Sequence, residues 1–157
     1  YELSDAVRAK ACVSETGDMV IDPTIDGNVY CIGKKSGDYK WNFIVKSPVM
    51  SNIVSSTNEN KEYFYFGADN GIFYCIDSFG KKVWSFKTND KIRSEALIEG
   101  DRVFFGSEDN NLYVLNKLTG KLLLKFGTDG NIEGKPVLMN DILYFGSSDS
   151  FIHGIHL

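Results

Sequence analysis

The chain has 157 residues, a formal net charge of −4 and 13% aromatic residues. That length suits one domain, the aromatic content with ordinary charge excludes a disordered chain, and an acidic balance without a basic block argues against binding nucleic acid through its phosphates. No apolar run approaches the ~20 residues of a membrane-spanning helix.

The chain opens at Tyr1 and not at Met. This points to a processed chain or a fragment, and leaves room for a removed signal. Tyr1 to Asp5 read as the tail of a strand whose sheet lies elsewhere, because Tyr1 precedes Val7 by the spacing that separates Phe86 from Ile92 and Phe126 from Ile132. From there the chain repeats itself. The clearest copy runs from Tyr63 to Trp84. It has an apolar run to Phe66, a turn with Gly67, Asp69, Asn70 and Gly71, a second run Ile72 to Ile76, a turn Asp77 to Lys81, and a third run from Val83. β-rich and aromatic runs bounded by Gly, Asn and Asp are consecutive hairpins.

With Gly67 as marker, the other copies align on Pro23, Gly106 and Gly146. Tyr30, Tyr74, Tyr113 and His153 share one position after the marker, and Ile32, Ile76, Leu115 and Ile155 another. A turn with Gly37, Gly80 or Gly120 follows, then Trp41, Trp84 or Leu124. The markers lie about 40 residues apart, the period of a four-stranded propeller blade. The first interval is the longest, and the polar run Ser55 to Lys61 reads as a loop insertion. A further strand is expected upstream of each marker, with Ala11, Pro48, Ala96 and Pro136 in one register, preceded by β-branched Val7, Ile44, Ile92 and Ile132.

The predicted fold is therefore all-β: a β-propeller of four-stranded antiparallel blades. A single region, 1–157, holds units at about 7–43, 44–86, 92–126 and 132–157, the last incomplete. Closed propellers have about 4–8 blades, so four units with cut ends predict an arc, about half of a seven- or eight-bladed ring. Cys12, Cys31 and Cys75 make an odd set. Cys31 and Cys75 occupy equivalent strands of neighbouring blades, ~10 Å apart, too far for a disulfide. They read as small core residues. No Cys-x-x-Cys or His-Glu-x-x-His spacing suggests a metal site, and His153 reads as a substitute for the repeated Tyr.

Cys75-Ile76-Asp77-Ser78-Phe79-Gly80-Lys81-Lys82-Val83-Trp84 and Val114-Leu115-Asn116-Lys117-Leu118-Thr119-Gly120-Lys121 resemble the repeat of the pyrroloquinoline quinone (PQQ) dehydrogenase-like propellers, Ala-x-Asp-x-x-Thr-Gly-Lys-x-x-Trp. The resemblance implies that Trp41 and Trp84 dock between blades, with Leu124 in the same role. This sequence departs from the pattern at Leu124, at the shortened Ser78-Phe79-Gly80 turn, and at Gly33 in place of Asp. The family includes quinoprotein alcohol and sugar dehydrogenases and non-catalytic members of the BamB type. In the dehydrogenases, PQQ lies at the channel mouth with Ca²⁺, an Asp base and, in some, a Cys-Cys disulfide. No Cys-Cys pair occurs here, and both Trp residues are taken by docking. Asp26, Asp69, Glu108, Asp109 and Asp149 stand at hairpin positions, where Asp and Asn shape turns.

Functional residues are expected on the innermost strand. One position before the Pro48 register lie Lys10, Ser47, Glu95 and Lys135, and three before it lie Arg8, Val45, Arg93 and Glu133. Period-two spacing puts both sets on one side. This predicts a channel mouth where Arg8, Lys10, Arg93 and Lys135 face Glu95 and Glu133. Such cations suit a tricarboxylate such as PQQ, but the preferred reading is a solvated funnel of mutually compensating charges, since mixed-sign charge is ordinary on exposed surfaces. The expected function is a non-catalytic propeller acting as a protein-binding or scaffold module. The alternative is part of a PQQ-dependent dehydrogenase binding PQQ and Ca²⁺ at that mouth. Expected partners are another protein, or self-association through open blade edges. The resemblance implies an envelope location, while the unpaired cysteines fit a reducing compartment.

Overall fold

A computed structural model describes residues 1–157. All fifteen of its elements are β-strands. They form four antiparallel sheets in strict chain order. The first blade holds β1 (Cys12–Val13), β2 (Met19–Pro23), β3 (Asn28–Gly33) and β4 (Tyr39–Ile44). The second holds β5 (Val54–Asn58), β6 (Lys61–Gly67), β7 (Ile72–Asp77) and β8 (Lys82–Lys87). The third holds β9 (Leu97–Glu99), β10 (Arg102–Ser107), β11 (Asn111–Asn116) and β12 (Leu122–Gly127). The fourth has three strands, β13 (Val137–Met139), β14 (Ile142–Gly146) and β15 (Ile152–His156).

The turn chemistry explains the hairpins. Asp77 Oδ1 accepts the amides of Phe79 and Lys81, both at 2.9 Å, and closes the β7–β8 turn. Asn116 Oδ1 does the same for Leu118 and Thr119 in the third blade. In each case a glycine at positive φ, Gly80 or Gly120, completes the turn. Both glycines carry a second constraint. Trp41 lies against Gly80 and Trp84 against Gly120, so that a Cβ at either would come within 2.7 Å of the indole. Trp41 Nε1–H donates to Ser78 O and Trp84 Nε1–H to Lys117 O, each at 2.9 Å. Leu124 has no such polar handle and is 39% exposed.

Blades meet through apolar faces. Three hydrophobic clusters join first to second, second to third and third to fourth blade, and none joins the fourth to the first. The chain is thus an open arc. Inner strands such as β6, β7, β10 and β11 are buried on both sides, which is why their sequences show little alternation. Gly67 and Gly106 let the next blade close in: a Cβ there would sit 2.1 Å from Ile92 Cγ2 and 2.3 Å from Ile132 Cγ2. Ser51 and Ser94 fasten the same place, each hydroxyl donating to the glycine carbonyl (2.9 and 3.0 Å) and accepting from its amide (both 2.8 Å).

The second blade differs from the sequence expectation. Ser55 to Lys61 is not a loop insertion. Val54–Asn58 is a strand paired residue by residue with Lys61–Tyr65. Its two-residue turn, Glu59-Asn60, has positive φ at both positions, the requirement of the hairpin turn that matches strand twist. The extra residues lengthen a hairpin. Glu15 and Glu62 tie that extension to the first blade, since Glu15 Oε2 accepts Thr57 N–H at 2.8 Å and Glu62 Oε2 accepts the Thr16 hydroxyl at 3.0 Å. The register shifts accordingly. Ser51 takes the place of Ser94 at the glycine, so Ile53, and not Pro48, is the counterpart of Ala96. Val49, and not Ile44, is the counterpart of Ile92; both are fully buried, whereas Ile44 is 60% exposed.

Candidate functional site

The innermost strands β1, β5 and β9 lie side by side along the concave wall. The corrected register puts Lys10, Asn52, Glu95 and Lys135 at one level of this wall, and Arg8, Met50, Arg93 and Glu133 at the next. Ser47 and Val45 are not members, because they precede the second blade's inner segment. Asn52 is the member that sequence reasoning missed.

The first level is a continuous polar ladder. The Lys10 amide donates to Asn52 Oδ1 at 2.7 Å, and Asn52 Nδ2 donates to Glu95 Oε2 at 2.7 Å. The Lys135 ammonium donates to Glu95 Oε1. Burial pushes the Glu95 carboxyl up, but the bonds from Lys135 and Asn52 outweigh it and leave the group below its ordinary value. Beside the ladder is a hollow of about 430 Å³, lined by Lys10, Cys12, Asn52, Ile53, Val54 and Glu95 among others.

At the second level Arg93 is held in a fork. Nε donates to Asp69 Oδ1 at 2.9 Å and an Nη to Asp69 Oδ2 at 2.8 Å. Glu108 stands 3.4 Å from the guanidinium. The Asp69 hydrogen bonds, with the surrounding carboxylates, hold Arg93 well above its ordinary value. Of the four cations expected at the mouth, Arg93 and Lys135 are engaged by carboxylates, while Arg8 and Lys10 are exposed. Asp69 and Glu108, expected only to shape turns, also serve as Arg93 partners.

A second polar network follows the outer turns. The Tyr113 hydroxyl donates to Asp109 Oδ2 at 2.7 Å, and the amides of Asn89 (3.0 Å) and Asn111 (3.2 Å) also point at this carboxylate. In the fourth blade His153 and Asp149 (3.0 Å) repeat the pair, and His153 stacks on Phe145 as Tyr113 stacks on Phe105. Burial pushes Asp109 up, but its hydrogen bonds outweigh that and leave it below the usual carboxylate range. A depressed folded value adds stability above the unfolded value of about 3.9, which is lost as pH falls through the folded one. Asp109→Asn is therefore expected to lower the urea midpoint at pH 7, with the deficit shrinking in strong acid. An equal deficit at both pH values would show that the charge contributes nothing.

The cysteines are free and buried. Burial pushes the Cys31 thiol up to about 11 and Cys75 to about 12, so neither is a reactive thiolate. At the concave wall Arg93 and Lys135 already have carboxylate partners. Binding a tricarboxylate through Arg93 or Lys135 would require displacing Asp69 or Glu95. No three His, Cys, Asp or Glu side chains converge on a point suited to a metal ion, and no helix is long and apolar enough to cross a membrane.

Four-stranded sheets in chain order, Trp-on-Gly docking and a concave wall of short inner strands define a β-propeller of PQQ-like repeats. Residues 68–156 match the family described as outer membrane protein assembly factor BamB, and the chain belongs to that family. No curated protein sequence is significantly similar to it. Among solved structures, BamB from Moraxella catarrhalis superposes with a TM-score of 0.86 at 18% identity, over 99% of this chain and 48% of that one. The chain thus spans about half of that protein. The computationally designed Ika4 protein gives 0.81 at 18% identity, over 99% of this chain and 94% of Ika4. The designed Ika8 protein gives 0.79 at 18% identity, over 97% of this chain and 46% of Ika8.

Proposed function

We propose that this chain is a non-catalytic propeller module that binds protein and serves as a scaffold at the cell envelope, a reading supported by the family's description as an outer membrane protein assembly factor. The observation that carries this reading is the state of the inner-wall cations. Arg93 is forked onto Asp69 and Lys135 is bonded to Glu95, so the charges that would attract a quinone carboxylate instead hold neighbouring blades together. In this structure the fourth blade exposes Val137, Met139 and Ile152, apolar surface of the kind that takes another polypeptide.

The test is calorimetric titration of PQQ into the chain with and without Ca²⁺. The expected result is no saturable heat. Stoichiometric, Ca²⁺-dependent binding that disappears in Arg8→Ala/Lys10→Ala would overturn the reading in favour of a dehydrogenase part, because Arg8 and Lys10 are the cations with no carboxylate partner.

A further inference from the structure

The second blade departs from the repeat at two places, and both line one groove. Its inner hairpin is longer than that of the third blade, since Lys61 opens β6 six residues before Gly67 and Arg102 opens β10 four residues before Gly106. Its outer turn is shorter, so the residue before the turn glycine is Phe79 where the third blade has Thr119. At the seam of the first and second blades lies the largest hollow on the chain, about 540 Å³. Asn60 at the hairpin tip, Phe79 on the outer turn, and Thr16, Asp18, Lys40 and Trp41 of the first blade line it. No corresponding hollow forms between the second and third blades, where the hairpin turns at Gly100-Asp101. Every lining residue lies between Thr16 and Phe79, inside the two blades that meet there.

Phe79 is a ring with nothing to pack on. It is 75% exposed, and it alone of the eleven phenylalanines meets neither another ring nor a cation. A second hollow of about 310 Å³ shares Glu62, Ser78 and Phe79 with the first and adds Lys61 and Tyr63, so the ring borders both. The polar groups are of every kind: Lys40 gives only donors, Asp18 only acceptors, and Thr16 and Asn60 both. Asp18 and Lys40 are exposed and opposite in sign, and neither is in an ion pair. Glu62 adds no open charge. It is 3% exposed, its Oε1 accepts the Glu15 amide at 2.5 Å and its Oε2 accepts the Thr16 hydroxyl. A ligand that satisfies this lining is uncharged, offers donors and acceptors together, and has a flat apolar face for Phe79. Hydroxyls fill both roles, and a pyranose carries them around its rim while its axial C–H face is apolar. Only Met19, Trp41 and Phe79 of the lining are apolar, which disfavours a peptide anchor, since such anchors fill dry, well-packed pockets.

We propose that this groove binds a neutral oligosaccharide. One sugar lies on the Phe79 ring, its hydroxyls donate to Asp18 and accept from Lys40 and Asn60, and the saccharide continues past the ring into the second hollow. The volume of the first hollow falls within the range of small-molecule sites, about 300–1,000 Å³. The site goes beyond the protein-binding reading and uses none of the residues of the concave wall.

The two tryptophans make the test specific. Trp41 lines the groove, and Trp84 holds the equivalent place at the next seam, where no hollow forms. Maltotriose, cellotriose and chitotriose are titrated into the isotope-labelled chain while the two indole N–H resonances are followed. Each sugar is taken to about 20 mM, which nearly saturates a site with a Kd of about 1 mM. At least one sugar is expected to move Trp41 and leave Trp84 in place. Phe79→Ala truncates an exposed side chain, and is expected to leave the thermal melt unchanged while weakening binding about tenfold. Asp18→Ala, which removes the acceptor, is expected to weaken it by a similar factor. No movement of Trp41 with any of the three sugars overturns the proposal. So does binding that moves Trp84 equally, or binding that survives both substitutions unchanged. If a library of random decapeptides moves Trp41 and no sugar does, the groove belongs to polypeptide and the proposal fails. None of these outcomes bears on the PQQ titration.

Discussion

Phe105→Ala is expected to lower the unfolding free energy by about 3–5 kcal/mol, the range for deleting a large buried aromatic. Phe105 is fully buried on β10 and lies at the centre of a stack. Its ring is 4.0 Å from that of Phe73, with 4° between the planes, and 5.4 Å from Tyr113. Phe73 belongs to the second blade and Tyr113 to the third, so one side chain fills the middle of the interface between them. The surrounding groups are paired strands with fixed registers and have little freedom to collapse into the space. Chemical denaturation, following the two tryptophans, measures the loss. A change under about 1 kcal/mol would mean that the blades can slide together, and that the flat packing is not what holds them.

Trp84→Ala is expected to cost a similar amount, about 3–5 kcal/mol, by a different route. The indole is nearly buried and lies against Gly120 of the next blade while its Nε1–H bonds to Lys117 O. Its removal empties the socket and strips a buried carbonyl of its partner. Trp84→Leu separates these effects. It resembles what stands naturally at 124, retains part of the packing and loses the hydrogen bond. Its loss should therefore fall clearly below that of Trp84→Ala. If the two variants prove equal, the apolar contact of the indole contributes little and the hydrogen bond carries the docking.

Much of this architecture is legible in the sequence because its signals are local. A glycine or proline after a strand and an aromatic or His further on recur in all four units, and an Asp or Asn opens the next turn in the second and third. Trp41 and Trp84 follow the glycines of their own turns at a fixed offset, and each docks on the glycine of the next blade's turn. The second blade's inner strand was not legible. Val54-Ser55-Ser56-Thr57-Asn58 is polar, and the Glu59-Asn60 turn has no glycine to announce positive φ. The tertiary setting overrides these weak local preferences: Ser56 is buried and the hairpin tip is tied to Glu15. Because the extra residues lengthen the hairpin, Asn52, and not Ser47, occupies the inner register. The match of Ser51-Asn52-Ile53-Val54 to Ser94-Glu95-Ala96-Leu97 was the available signal. The pairing of Arg93 with Asp69 is hidden for another reason: residues brought together between neighbouring blades leave no trace in spacing along the chain.

The ladder along the concave wall has a geometric consequence. Each blade is a wedge, and its angle is set by two chords at different radii. At the inner radius the chord is spanned by short side chains, with Lys10 N–H to Asn52 and Asn52 to Glu95 both at 2.7 Å. At the outer radius it is spanned by an indole reaching the next turn, Trp41 to Ser78 and Trp84 to Lys117. A shorter inner side chain or a longer outer one opens the wedge, and the reverse closes it. The number of blades that complete a circle is therefore written in residue size at two radii, and a propeller can change that number without changing the length of its repeat.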